Sequence, residues 1–254
     1  MQNSNKTALI TGGAKRIGAA IVEDLAKNGF AVAIHCNRSI AEAAELAERI
    51  VLNGGKATVV EADLTNMAQA EALIEQAAAT LGPIRLLVNS ASIFEDDIAD
   101  NPNFVIWDRH FAIHLKVPVL LAGRLAAGLP DGEEGLVVNI IDQRVWKLTP
   151  GYFSYTLSKS AMWTATQTLA QAFAPKVRVN AIGPGPTMAS SRQSKADFDA
   201  QVDGLIMKRG PDLGEFGATI RYLWEVRSVT GQMIALDGGQ HLAWQTPDVT
   251  GMIE

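Results

Sequence analysis

The chain has 254 residues, 48% hydrophobic and 19% charged, which excludes wholesale disorder and leaves ample material for a core. A formal charge of −5 and a pI near 5.4 exclude a generally basic surface of the kind that neutralises phosphate backbones, so no nucleic-acid partner is expected. A lone cysteine, Cys36, excludes an internal disulfide and reads as small buried filler. With a polar start and no long hydrophobic segment, the expectation is a cytoplasmic protein without a membrane span.

The predicted elements follow in chain order. An apolar run at 7–10 leads through a glycine turn into a helix over 16–27. Strand and helix then alternate, with strands at 31–35, 57–61 and 85–89 and helices at 40–53 and 67–81. Longer helices are predicted over 104–127 and 153–173, with further strands at 135–141, 177–181 and 233–236. Strands this apolar, separated by helices, imply an α/β fold with a doubly wound parallel sheet buried on both faces. No linker composition interrupts the chain, so one domain over 1–254 is expected. The stretch 186–210, which contains Ser190, Ser191, Arg192, Gln193 and Ser194, shows no regular pattern and is expected to be a substrate loop.

After the first strand, the segment Thr11-Gly12-Gly13-Ala14-Lys15-Arg16-Ile17-Gly18 is a glycine-bearing turn that feeds a helix N-terminus. Free amides and the helix dipole make such a turn a site for a pyrophosphate. In dinucleotide folds a carboxylate after the second strand binds the adenosine ribose, but here the chain reads Asn37-Arg38-Ser39. An arginine and a serine suit a 2′-phosphate instead, with Arg16 as a second cation, so NADPH is the predicted cofactor. The alternative is that Arg38 is a solvated surface side chain. Asp63, followed by Leu64, can reach an adenine or cap the next helix. Asn89-Ser90-Ala91-Ser92 ends the fourth strand in small residues that would let a cofactor approach the backbone.

Tyr155 and Lys159 stand four residues apart, on one face of a predicted helix. A lysine charge beside a phenol favours the phenolate and would draw its pKa down from about 10 toward neutrality. That suits a proton donor for hydride chemistry.

Together, the motifs TGGAKRIG, ADL, NSAS, YTLSK, PGPT and LDGG resemble the short-chain dehydrogenase/reductase family over residues 7–239. The resemblance implies a single-domain, Rossmann-like sheet of about seven strands. It also implies Tyr155 as proton donor, Lys159 holding the nicotinamide ribose, and Pro184, Gly185 and Thr187 lying along the nicotinamide. Three positions depart from the family: Arg16 stands for a glycine, Asp142 for a serine and His114 for an asparagine. The first two, with the Arg-Ser pair, resemble the pteridine reductase branch, which includes dihydromonapterin reductases. By that resemblance Arg16, Ser92, Phe94, Asp142 and Tyr155 would contact a pterin, with Phe94 stacking on its ring. A carboxyl group beside the tyrosine suits reduction of a ring C=N bond, which needs a proton on nitrogen.

His110 and His114 form an H-x-x-x-H pair with metal-binding spacing but no evident third ligand, so no metal is expected. His114 is either a packed histidine or a substitute for the family asparagine in a proton relay. Two rival functions remain open: a carbonyl reductase of 3-oxoacyl thioesters, sugars or steroids, and a non-catalytic NADPH sensor or scaffold. The family resemblance implies a homotetramer, with the helices over 104–127 and 153–173 at one interface. The tail residues Leu242, Ala243, Trp244, Met252 and Ile253 could seal another.

Overall fold

The computed structural model describes residues 6–189, 193–245 and 250. Ser190, Ser191, Arg192, Met252 and Ile253 lie outside the described residues.

Seven strands form one parallel sheet in the order β3-β2-β1-β4-β5-β6-β7. They are β1 (Thr7–Thr11), β2 (Ala31–Cys36), β3 (Lys56–Glu61), β4 (Leu86–Asn89), β5 (Gly135–Ile140), β6 (Val177–Pro184) and β7 (Met233–Leu236). The strand order reverses beside β1, which pairs with β2 on one side and β4 on the other. A crevice opens outside the carboxyl ends of strands at such a switch point, so the end of β1 is where a ligand is expected.

Alternation along the strands feeds two cores. In β1 and β2, Ala8, Ile10, Val32 and Ile34 pack to one face of the sheet, while Leu9 and Ala33 pack to the other. On the first face lie α1 (Arg16–Lys27) and α2 (Ile40–Leu52). The second is covered by α3 (Met67–Leu81) and α5 (Val117–Gly128), with α4 (Phe104–Phe111) and α6 (Phe153–Phe173) continuing the layer. Cys36 is 2% exposed within the first core, as its reading as buried filler expects.

The structure departs from the predicted elements at four places. The helix expected over 104–127 is broken by a π-turn at Ala112–Lys116. Pro118 explains the break, because it has no N–H to give the carbonyl of His114 and its ring would crowd that carbonyl. The stretch 186–210 contains a helix, α7 (Lys195–Asp203), capped by Ser194 Oγ accepting from the Asp197 amide at 3.1 Å. A further helix, α8 (Leu213–Glu225), opens with a capping box of Asp212 and Glu215 and packs on α1. Strand β6 runs on to Pro184 because β7 pairs with it through Pro184↔Leu236.

Among the described residues, the stretch Phe104–Gly128 is long and apolar enough to cross a membrane by length and composition. Val117, Leu121, Ala122 and Leu125 of that stretch are buried in the core, which accounts for its apolar character.

Candidate active site at the sheet switch point

The turn after β1 is built so closely that side chains are excluded. Gly12 has φ +64°, and a Cβ there would lie 2.9 Å from the Ala91 Cα. At Gly18 a Cβ would lie 2.2 Å from the Gly12 carbonyl oxygen, so the first turn of α1 can press against the glycine turn. A Gly18→Ala protein is expected to lose about 1–3 kcal/mol of stability, read as a lower melting temperature.

Thr11 holds the neighbouring turn. Its hydroxyl oxygen accepts from the amides of Ser90 and Ala91 at 3.0 and 3.1 Å, fixing the end of β4 against β1. Asn89 is tied sideways instead, donating to Asn139 at 2.8 Å, and Asn139 in turn donates to Thr166 of α6 at 3.0 Å.

Beside the glycine turn lies a cavity of about 640 Å3, lined among others by Gly12, Asn37, Arg38, Asp63, Leu64 and Ala91. The structure therefore brings together, at one cavity, residues read from the glycine turn, the end of β2, the end of β3 and the end of β4. Lys15 turns away to pair with Glu42 at 2.7 Å, and Ile17 packs against the core, so these two bring only backbone to the site. Ser39 takes the N-cap position of α2 without a side-chain capping bond. Asp63 does not cap α3; Asn66 does, accepting from Ala68 and Gln69. Asp63 instead accepts from the amide and hydroxyl of Thr65 at 2.9 and 2.7 Å, and these bonds hold its carboxyl below the usual carboxylate range.

Arg16 has φ +53°, a left-handed backbone that favours glycine at this position. Its guanidinium donates to the carbonyls of Met188 and Ala189, both at 3.2 Å, reaching across to the chain after β6. Just before that point, Gly185 is packed so tightly that a Cβ would lie 2.7 Å from the Asp237 Cα, and Thr187 donates to the Gly185 carbonyl at 3.1 Å. Pro184 ends β6 beside them.

A second group of residues gathers around Tyr155 of α6. The phenol donates to Asp142 Oδ2 at 2.8 Å, while Asp142 Oδ1 accepts from the Arg144 amide at 2.8 Å. Lys159, 3% exposed, donates to the Ile140 carbonyl at 2.9 Å and lies 5.7 Å from the centre of the Tyr155 ring. Phe94 meets Tyr155 edge-on at 4.7 Å and is stacked on Tyr152 at 4.1 Å. The Arg144 guanidinium stands 5.7 and 5.3 Å from these two stacked rings.

The electrostatics differ from the sequence reading in one respect. The phenol of Tyr155 was expected to be drawn down by Lys159, but burial pushes it well above the ordinary tyrosine value, and Asp142 adds to the shift. Burial is the larger cause; in addition the hydroxyl gives its hydrogen to a carboxyl oxygen, so phenolate would face like charge. Burial likewise pushes the Asp142 carboxyl up, and it lowers the Lys159 ammonium to about 8.

The two histidines serve as brackets. The Ile93 amide donates to His114 Nε2 at 3.2 Å, which makes that nitrogen an acceptor and leaves Nδ1–H to donate to Ser158 at 2.9 Å. His110 repeats the pattern, accepting from the Glu95 amide at 3.4 Å and donating to Ser154 at 2.8 Å. Ser92 lies 3.0 Å from His114 Nε2. These bonds tie the segment carrying Phe94 to the helix carrying Tyr155. Burial, with the charge of Lys159 nearby, pushes the His114 imidazole well down and keeps it neutral. Among the described residues His114 reaches Tyr155 through Ser158, whose hydroxyl donates to the Tyr155 carbonyl at 2.7 Å.

Sequence reasoning missed Thr11, His35, Arg144 and Tyr152, all of which shape this region. Each is a common residue type in an ordinary run, and only the register of the strands and the return of the chain after β5 bring them to the site.

A sequence profile described as short chain dehydrogenase matches residues 6–200. The chain belongs to the short-chain dehydrogenase family. Among solved structures, it is similar to FolM alternative dihydrofolate reductase 1 of Brucella suis in complex with NADP. The identity is 61% and the TM-score 0.94, covering 96% of this chain and 98% of that one. The same enzyme of Brucella canis, also complexed with NADP, is 59% identical with a TM-score of 0.92, covering 97% and 98%. An uncharacterised oxidoreductase of Methylorubrum extorquens is 32% identical over 243 residues, which is 92% of this chain and 97% of that protein. As a member of this family, the chain is read as an oxidoreductase.

Proposed function

We propose that the protein is an NADPH-dependent reductase of dihydropterins, with dihydromonapterin, dihydrobiopterin and dihydrofolate as candidate substrates. The observation that carries this reading is the 2.8 Å bond between Tyr155 and Asp142, set beside the aromatic ring of Phe94. The Brucella proteins, alternative dihydrofolate reductases solved with NADP, support the same class of substrate and cofactor.

The cofactor fits the residues present. The close-packed turn at Gly12 and Gly18 leaves the first amides of α1 for a pyrophosphate, and Arg38 and Ser39 would take the 2′-phosphate at the cavity mouth. Asn37, Asp63, Leu64, Ser90 and Ala91 would line the adenosine side; Asn89 would support the strand end, and Lys159, Pro184, Gly185 and Thr187 the nicotinamide side. When bound, NADPH supplies the hydride for a ring C=N bond, and the protein must supply one proton to the nitrogen. Tyr155 holds that proton firmly, because burial and Asp142 oppose its loss until negative charge develops on the substrate. Burial raises the Asp142 carboxyl, so it would take up a proton more readily than an ordinary aspartate and could pass it to Tyr155 as the phenol gives its own to the substrate, ending ionised. The Lys159 ammonium, 5.7 Å from the centre of the ring, would favour the phenolate while that proton is in transit. Arg16, Ser92 and Phe94 would hold the pterin, and His114 and His110 would position the segment that carries Phe94.

The Lys159 ammonium gives a pH prediction. With a folded value of about 8 against an unfolded value near 10.4, the unfolded chain binds more protons between these limits. This group therefore makes the fold more stable as pH rises through that window, and it also loses its charge there. In NADPH-dependent turnover, kcat/KM is expected to fall above pH of about 8. A Lys159→Arg protein, charged throughout, is expected to lack that limb in a pH–rate profile.

The 3-oxoacyl, sugar and steroid carbonyl reductases are the nearest rival; a ketone needs only a tyrosine, so Asp142 would have no task there. A silent NADPH sensor would not need Tyr155 and Lys159 buried side by side. Titration of the NADP-loaded protein with dihydrobiopterin and with an acetoacetyl thioester separates these readings. Binding of the pterin, and far weaker binding of the thioester, is expected; the reverse would overturn the assignment.

We further propose a homotetramer. Phe104, Val105 and Leu157 expose apolar surface on α4 and α6, and Leu242 and Trp244 do so near the end of the chain. A reductase of this kind with a single buried thiol belongs in a reducing compartment, and we place it in the cytoplasm.

A further inference from the structure

His35 stands near the carboxyl end of the apolar strand β2, 2% exposed, and neither family motif nor catalytic pair includes it. Its ring nevertheless touches both ends of the proposed adenosine site. The Gly12 amide donates to His35 Nδ1 at 3.0 Å, and Nε2 lies 3.0 Å from the carbonyl of Ala62, the residue before Asp63. An amide can only donate, so Nδ1 carries no proton and Nε2–H donates to Ala62. The backbone of the same residue adds a third tie, because the His35 carbonyl accepts from the Gly13 amide at 2.9 Å.

Burial pushes the imidazole below its ordinary value, which matches the neutral tautomer these bonds require. The charged groups on the surrounding elements do not bond to the ring. Arg38 and Arg109 line the same cavity, Asp63 is held by Thr65, Lys15 pairs with Glu42, and Arg16 reaches to the chain after β6.

We propose that His35 is a positioning residue for the dinucleotide: Nδ1 of one neutral ring holds the Gly12 amide and so fixes the glycine turn, while Nε2–H on the Ala62 carbonyl fixes the tautomer. The Gly12 amide is thereby spent on the ring, and the anion site is left to the first amides of α1. Without the Nδ1 acceptor, Gly12 would keep a half-buried, unpaired N–H, and its left-handed conformation would lose the bond that fixes it. The inference rests on the cofactor reading only in requiring that a nicotinamide dinucleotide occupies this turn.

Asparagine and glutamine separate the two nitrogens. Asn Oδ1 can stand where Nδ1 stands, whereas a Gln amide reaches the place of Nε2 and leaves Gly12 without a partner. The experiment titrates NADPH, and separately NADH, into wild-type, His35→Asn and His35→Gln proteins by nicotinamide fluorescence, with thermal melting run alongside. His35→Asn is expected within threefold of the wild-type dissociation constant, and His35→Gln about tenfold weaker. The loss should be equal for NADPH and NADH, because the 2′-phosphate is not involved. In turnover, KM for NADPH should rise in His35→Gln while kcat and the substrate KM stay unchanged. Equal affinity of the two variants, or a loss confined to NADPH, would overturn the proposal. Failure of the wild-type protein to bind either dinucleotide would instead remove the cofactor reading on which it rests.

Discussion

Replacing Asp142 with serine is expected to lower kcat/KM for a dihydropterin by at least about 100-fold, the ordinary scale of a lost acid–base group. Asp142 Oδ2 accepts from the Tyr155 hydroxyl at 2.8 Å, and its other oxygen is anchored by the Arg144 amide. A serine hydroxyl in that place can still orient a carbonyl, but it cannot restore a proton to Tyr155 at neutral pH. The variant removes a carboxyl group that burial disfavours when ionised, so the fold should survive, and circular dichroism with thermal melting checks this. Any weak activity toward a ketone or thioester should be retained or raised, since that chemistry asks only for the tyrosine. Undiminished pterin turnover in Asp142→Ser would show that the carboxyl has no part in the reaction.

Arg38→Asp is expected to lower kcat/KM for NADPH by at least about 100-fold and to raise that for NADH. A charge-assisted bond to a phosphate contributes about 1.5–3 kcal/mol, and a carboxylate in its place adds repulsion. NADH has ribose hydroxyls there, which a carboxylate can accept from. Arg38 lines the cavity beside Asn37 and Asp63, and Asp63, the one carboxylate in the lining among the described residues, is already occupied by Thr65. Steady-state rates with the two cofactors at fixed substrate decide the matter. An unchanged preference would mean that Arg38 is only a solvated side chain.

Most of the fold was legible because its strands are short, apolar and punctuated by glycine or polar turns. Strands β1 to β5 and β7 lie within a residue or so of where the pattern puts them. The exceptions have physical causes. The π-turn at Ala112–Lys116 follows from one missing amide at Pro118, a signal that a 3.6-residue period does not carry. Helix α7 has no buried residue and therefore no apolar stripe, so 186–210 read as loop. Helix α8 is written in the chain more plainly, through the Asp212 and Glu215 capping pair and the helical spacing of Phe216, Ile220 and Leu223.

The site was legible in its chemistry more than in its geometry. Glycine turn, Arg38, Asp142, Tyr155 and Lys159 stood out as residue types that one reaction needs together. That Tyr155 gives its hydrogen to Asp142 could not be read from a separation of thirteen positions, nor could its burial, which with that bond reverses the expected direction of the phenol's pKa. Tyr152 stacked on Phe94 and His35 bonded to Gly12 depend on pairing across the sheet and on the loop before α6. A single histidine in an apolar strand otherwise reads as core.

The most direct test of the account is steady-state NADPH oxidation by the purified protein with dihydromonapterin, dihydrobiopterin, dihydrofolate and an acetoacetyl thioester side by side. The account predicts kcat/KM for at least one of the three pteridines more than tenfold above the thioester. Turnover of the thioester alone would leave the fold and the Tyr155–Lys159 pair standing and contradict the assignment of Asp142 and Phe94 to a pterin.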